Sequence, residues 1–199
     1  GGGAGGVELA LAVSHRLSAI QSDAPAKSVE IHLVTQEEDI LNSHNRRATA
    51  SLNHALHQSR IKVHRNFRVC EVRPGEVVND RRETIAVDEV LWATQAAAPS
   101  WFRDSGLVVD EDGFMAVDAA LQSISHPGVF GAGDAAGVTE HPRPKSGVFA
   151  VRQGRPLTRN LRRVLRGRDP LPFTPQRAFL SLIATGPKHA VASRGPWAA

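Results

Sequence analysis

The stretch GGGAGGVELALAV, residues 1–13, decides the reading of the chain. Gly1, Gly3 and Gly6 stand at G-x-G-x-x-G spacing, and a helix-compatible apolar run follows at once. In a strand–turn–helix unit the first glycine permits the tight turn. The second lets backbone approach a pyrophosphate, and the third lets the helix pack on its strand. The first amides of the helix then face the phosphates with the positive end of the helix dipole. Such a turn should follow a strand, and none precedes Gly1. Met115 is the only methionine, so the expectation is an internal piece of a longer protein.

Working outward, the periodicity predicts a helix over roughly residues 3–20, apolar over most of its surface. SDAPAKS (22–28) reads as a loop, VEIHLV (29–34) as a buried strand, residues 44–59 as a second helix and IKVH (61–64) as another strand. FRVCEVRP, GEVVND and ETIAVD then form short β runs split by turn residues, the pattern of a small antiparallel meander. EVLWAT (89–94) is strand-like. A turn at EDG lies between two short strands within 107–118, and residues 128–137 read as a strand entering a glycine-rich turn. Residues 146–167 are mostly helical, with Pro156 expected to interrupt or kink the helix. RAFLSLIAT and HAVAS read as short strands. Strands alternating with helices predict an α/β fold, a Rossmann-like parallel sheet with a small antiparallel meander, incomplete at its N-terminus.

With 199 residues, 41% hydrophobic and 22% charged, the composition is that of a globular protein. No apolar run is long enough to span a bilayer. Cys70 is the only cysteine, which excludes a disulfide within this chain; it reads as a small buried hydrophobe. The nine histidines lack metal-site spacing, so no metal is expected. Trp92, Trp101 and Trp197 read as packing residues. The net charge of +4 is unevenly spread: from residue 151 onward there are ten Lys and Arg against one Asp. Leu157, Leu161, Val164 and Leu165 lie among those arginines at helical spacing. The preferred account is the solvated face of a packed helix, with a membrane-surface contact as the second reading. Nucleic acid is not expected, for the aromatic interleaving of single-strand binders is missing.

At the end of the second strand the dinucleotide reading wants an acid for the adenine ribose. Thr35 stands there, with Glu37 and Glu38 slightly late and Arg46 and Arg47 as alternatives that would meet a 2′-phosphate. NADH is favoured over NADPH. The second motif is VFGAGD, residues 129–134. Gly131 and Gly133 remove side chains where a ligand would lie, and Asp134 follows at the strand's carboxyl end, where it could accept hydrogen bonds from sugar hydroxyls. An ordinary turn with Asp134 as a helix cap fits equally well.

In order, GGGAGGVELA, VDEVLWATQAAAP and GLVVDEDGFMAVDAALQSISHPGVFGAGDAA resemble the pyridine nucleotide-disulfide oxidoreductase superfamily over residues 1 to about 165. HPRPKSGVFAVRQG and the tail beyond it are similar to the type II NADH dehydrogenase-like branch, close to forms related to selenide, water dikinase fusions. The resemblance implies an NAD(P)-binding domain over 1–93, the C-terminal part of an FAD-binding domain over 94–168, and the start of a C-terminal interface region over 169–199. It implies an FAD-dependent NAD(P)H oxidoreductase, with hydride passing from NAD(P)H to FAD and on to an acceptor such as a quinone. The alternative is a nucleotide-binding regulatory module attached to another enzyme.

The implied cofactor-binding residues are Gly1, Gly3, Ala4, Gly6, Glu8, Thr35, Thr94, Gly133, Asp134, Lys145, Gly147 and Val148, with Gln153 a further candidate. No side chain is named as catalytic, because hydride transfer needs no side-chain acid or base. The family's ATG turn reads Ala93-Thr94-Gln95 here. A cytoplasmic protein is expected, with peripheral contact to the inner face of the membrane as an open alternative.

Overall fold

The computed structural model describes residues 1–22, 29–186 and 188–198. Along the chain run α1 (Ala4–Ser22), β1 (His32–Val34), α2 (Arg46–Gln58), β2 (Lys62–His64), β3 (Val69–Arg73), β4 (Glu76–Asn79) and β5 (Thr84–Ala86). They are followed by α3 (Trp101–Asp104), β6 (Met115–Val117), a 3-10 turn (Gly133–Ala135), β7 (Ala136–Val138), α4 (Gly147–Val164), β8 (Ser181–Gly186), β9 (His189–Arg194) and β10 (Trp197–Ala198). Two compact units result: residues Gly1–Thr94 with the chain from Ala178 onward, and residues Gln95–Arg177. Within residues 169–199 the division falls after Arg177.

In the first unit β1 and β2 pair in parallel, His32 opposite Lys62, and β3–β4–β5 form the antiparallel meander. The core gathers Val7 and Leu11 from α1, Leu33 from β1, and Leu52 and Leu56 from α2. It also takes in Ile183 of β8, so the C-terminal sheet β8–β9–β10 packs here. Asn45 caps α2 by accepting from the Ala48 amide at 3.0 Å, while its Nδ2 donates to the carbonyls of Gly195 (3.0 Å) and Trp197 (2.9 Å). One side chain thus starts a helix and ties down the C-terminal strands.

In the second unit β6 and β7 pair in parallel over a core of Phe102, Met115, Val117, Leu121, Ala136 and Val138. Helix α4 buries Phe149, Gln153, Pro156 and Asn160 on one face. Asn160 is fully buried: its Nδ2 donates to the carbonyls of Ala120 and Leu171, both at 2.8 Å, and its Oδ1 accepts from the Leu171 amide at 2.9 Å. The chain leaving the helix is thereby folded back onto it.

Helix α1 buries Val7 and Leu11, while its apolar Leu9 and Ile20 are exposed. Several expectations are corrected. The strand at 29–34 is confined to His32–Val34, and EVLWAT forms no strand, because Ala93 turns its backbone toward Gly1 instead of pairing. Phe130 makes only an isolated bridge, to Gln122, and the first arm of the EDG turn is likewise a single bridge, Val109 to Met115. Pro156 does not interrupt α4, which runs on to Val164. The ring removes one backbone donor; the buried face and the remaining helical bonds carry the helix through. Cys70 and all three tryptophans are exposed. The loop expected at 22–28 lies outside the described residues, except Ser22, which ends α1.

Candidate functional site

Helix α1 starts at Ala4, directly behind Gly1–Gly3, and its first α-helical bond runs from the Val7 amide to the Gly3 carbonyl at 3.1 Å. The amides before Val7 therefore have no partner inside the helix. Each glycine of the turn has a distinct reason. A Cβ on Gly6 would strike the Gly1 carbonyl oxygen, and one on Gly1 would stand 2.6 Å from the Ala93 carbonyl oxygen. Those two positions are glycine for packing within the protein. Gly3 differs, for a Cβ there would meet nothing within 4 Å. Its open face lies beside the free amides, which is where an anion gains most from the helix end.

Gly2, which spacing alone does not single out, also matters. Its carbonyl accepts from the Leu41 amide at 2.9 Å, and a Cβ on it would lie 2.8 Å from Thr35 Oγ1. Thr35 is accordingly buried beneath the turn, and its hydroxyl accepts from the Glu37 amide at 3.2 Å. It shapes the floor and does not face solvent. Glu37 is exposed, three residues past β1, and Asn42 Nδ2 donates to its Oε2 at 3.0 Å. The acid sought at the end of the strand is thus held in place slightly late. Arg46 and Arg47 are exposed in the first turn of α2.

Of the other sequence-derived residues in this unit, Ala4 is half-buried against the core, and Thr94 is exposed with its Cα close to Gly1. Glu8 is engaged elsewhere: its Oε1 accepts from the Ala184 amide of β8 at 2.7 Å. That contact spans the whole chain, and no local pattern could reveal it.

The second cluster lies in the unit of α4. The space beside Gly131 is taken up by the core: a Cβ there would meet the flexible end of Met115 and lie 3.2 Å from Ala136 Cβ. Gly133 has φ +66, open to glycine at little cost, and a Cβ there would come 3.3 Å from Ala150 Cβ on α4. Its amide donates to the buried Gln153 Oε1 at 2.6 Å. Gln153 thus docks the 3-10 turn on the helix and presents Asp134, which is exposed.

Lys145 sits just before α4. Its Nζ donates to the Ala136 carbonyl at 2.5 Å and lies 3.9 Å from the Phe114 ring centroid. Burial pushes its ammonium below the ordinary lysine value, while Asp110, Asp134 and Asp112 pull the other way. Ser146 is the N-cap residue, yet its hydroxyl caps nothing and is buried with no hydrogen-bond partner among the described residues. Gly147 is exposed with open space at its Cβ position, and Val148 is half-buried. Asp134, Lys145, Ser146 and Gln153 share one cleft with about 20 Å³ of free volume, room for a single water. The cleft is too small to admit a flat ring system, which could meet these residues only from outside it. The orphaned Ser146 hydroxyl and the open face of Gly147 fit such a group; Gly131 and Gly133 are explained without one.

Among the described residues no cluster of His, Cys, Asp and Glu could hold a metal, and no helix is long and apolar enough to cross a membrane. The model of the family described as pyridine nucleotide-disulphide oxidoreductase matches residues 1–154. Among solved structures, the chain is similar to a FAD-dependent pyridine nucleotide-disulphide oxidoreductase from Desulfovibrio vulgaris, with a TM-score of 0.64 and 24% sequence identity. The match covers 84% of this chain and 43% of that one, so the chain spans under half the length of that relative. At this identity the likeness is one of fold.

Proposed function

Because the chain belongs to the pyridine nucleotide-disulphide oxidoreductase family, we propose that it supplies the NAD(P)H-binding turn and part of the FAD seat of a flavin-dependent NAD(P)H oxidoreductase. The observation that carries this reading is the contrast within the glycine turn. Gly1 and Gly6 are closed by packing, while Gly3 is open beside the unpaired first amides of α1. A glycine left open there permits the close backbone approach that a pyrophosphate needs.

When bound, NAD(P)H supplies a hydride, and FAD accepts it and passes electrons to an acceptor. The residues of this chain bind and orient. The α1 amides hold the pyrophosphate. Glu37, steadied by Asn42, accepts from a ribose hydroxyl and repels a 2′-phosphate, which favours NADH. Asp134 accepts from a sugar-alcohol hydroxyl, Gln153 fixes the turn that carries it, and the start of α4 with Ser146 faces the flavin ring. The helix end would offer a flavin bound there a partial positive charge, which favours added negative charge on its ring. The tail motifs favour the NADH dehydrogenase-like branch, with a quinone as acceptor.

The test is anaerobic titration of the purified full protein with NADH, followed in the flavin absorbance band. Bleaching with one NADH per flavin supports the proposal. A protein free of flavin after denaturation overturns it.

A further inference from the structure

Helix α4 carries its arginines on the face opposite its buried one. From Gly147 to Arg168 there are seven arginines, no lysine and no carboxylate. The side of α4 bearing Gly154 and Thr158 is a groove of about 460 Å³, the size of a small-ligand site. Gly154 and Thr158 form its floor one turn apart, and six arginines between Arg155 and Arg168 line the rest. A Cβ on Gly154 would meet nothing within 4 Å, which leaves the floor open.

The ion pairs of the described residues use Lys62, Arg65, Arg73, Arg81 and His32, and none of the α4 arginines. Arg163 donates from Nε to the Asp169 carbonyl at 2.6 Å, so one member is held by backbone. The helix dipole accounts for cations in the last turn, where Arg162 and Arg163 lie. It does not account for Arg155 and Arg159, which are more than one turn from the end. Like charges at helical spacing repel unless an anion lies between them.

We propose that this groove binds a soluble anion carrying three or more linked phosphates. Guanidinium forks match phosphate oxygens two at a time, whereas an ammonium acts as a point charge. The Thr158 hydroxyl proton is already donated to the Gly154 carbonyl at 2.8 Å, so the donors left for an anion are the guanidiniums. The lining holds no aromatic or aliphatic side chain, so the groove offers a base or an acyl chain nothing to pack on. That composition selects the phosphates alone. The exposed Val151 and Leu161 of the same helix, and Leu165 that follows it, lie outside the lining, which separates this site from a flat lipid contact. Nucleic acid is disfavoured for want of a stacking platform.

The experiment is calorimetric titration of the full protein with inorganic tripolyphosphate and with orthophosphate at matched ionic strength. One tripolyphosphate should bind per chain, at least about 10-fold tighter than orthophosphate. The triple variant Arg155→Gln/Arg159→Gln/Arg162→Gln should weaken it on the order of 100-fold. Arg103→Gln/Arg177→Gln, which removes two exposed charges outside the groove, should leave binding unchanged. Should the triple variant fail to fold, phenylglyoxal labelling of the unaltered protein decides: tripolyphosphate should protect Arg155, Arg159 and Arg162, and no protection overturns the proposal. Equal affinity for the two anions, or a folded triple variant that binds like the parent, also overturns it. So does capture by phosphatidylglycerol vesicles or duplex DNA that depends on these arginines and that tripolyphosphate does not displace.

Discussion

Gly3→Ala and Gly6→Ala sit three residues apart in one motif, and the structure assigns them opposite effects. At Gly3 the new methyl meets nothing within 4 Å, and no positive φ stands against it. Where the backbone suits alanine, the loss of unfolded-chain entropy stabilises by about 0.4–1 kcal/mol. The fold should therefore be unharmed or slightly more stable. The same methyl projects into the space where a pyrophosphate would approach backbone. Overpacking there costs about 1–3 kcal/mol, and each ~1.4 kcal/mol is tenfold in affinity. NADH binding should weaken by roughly 5- to 150-fold.

At Gly6 the methyl runs into the Gly1 carbonyl oxygen, a backbone atom that cannot swing aside. The helix must move off the turn, and the expected loss of stability is about 1–3 kcal/mol or more. Urea unfolding measures the stability of each variant, and fluorescence titration with NADH measures its binding. A folded Gly3→Ala protein that binds NADH like the parent would refute the placement of the pyrophosphate. A Gly6→Ala protein with an unchanged urea midpoint would refute the packing account.

Glu37→Gln should raise the relative efficiency with NADPH about 10-fold by removing the charge that repels a 2′-phosphate, read as the ratio of kcat/KM for the two nucleotides. Asn160→Leu should lower the thermal midpoint sharply, because the Leu171 amide and two carbonyls lose their buried partner; the cost is about 2–4 kcal/mol by calorimetry. Acid should also destabilise the first unit. Burial, then His32 and Lys62, lower the His64 pKa against the opposing pull of Glu30, and burial lowers that of His44. The unfolded chain then binds more protons below about 6.5. Stability is full above that value and is lost as pH falls through the depressed folded values, by at most ~1.4 kcal/mol per pH unit per histidine. His64→Gln should flatten this slope, measured as urea midpoints across pH 5–7.5; a steeper slope would contradict the sign.

The parallel pair, the meander and the two long helices were legible because each rests on a local pattern. Thirteen residues with Ala48, Leu52 and Leu56 at helical spacing make α2, and short β runs split by turn residues make β3–β5. EVLWAT has the same β-rich composition and forms no strand, since its backbone neighbour is Gly1 and not another strand. Cys70 has the composition of a buried residue and lies on the exposed face of an edge. In the same way Thr35 falls where a ribose contact was expected and is covered by Gly2.

The two glycine turns, their order and the helices behind them are visible in the residues alone, since spacing and backbone freedom are properties of neighbours. Which glycine is open depends on packing between distant segments. Gly131 looks like a ligand position and is filled by Met115, sixteen residues upstream; Glu8 looks like a cofactor contact and is taken by the Ala184 amide. Gly3 alone among Gly1, Gly3 and Gly6 keeps free space. A glycine's lack of a side chain is written in the sequence, but what occupies the space it leaves is set by residues brought together from far along the chain.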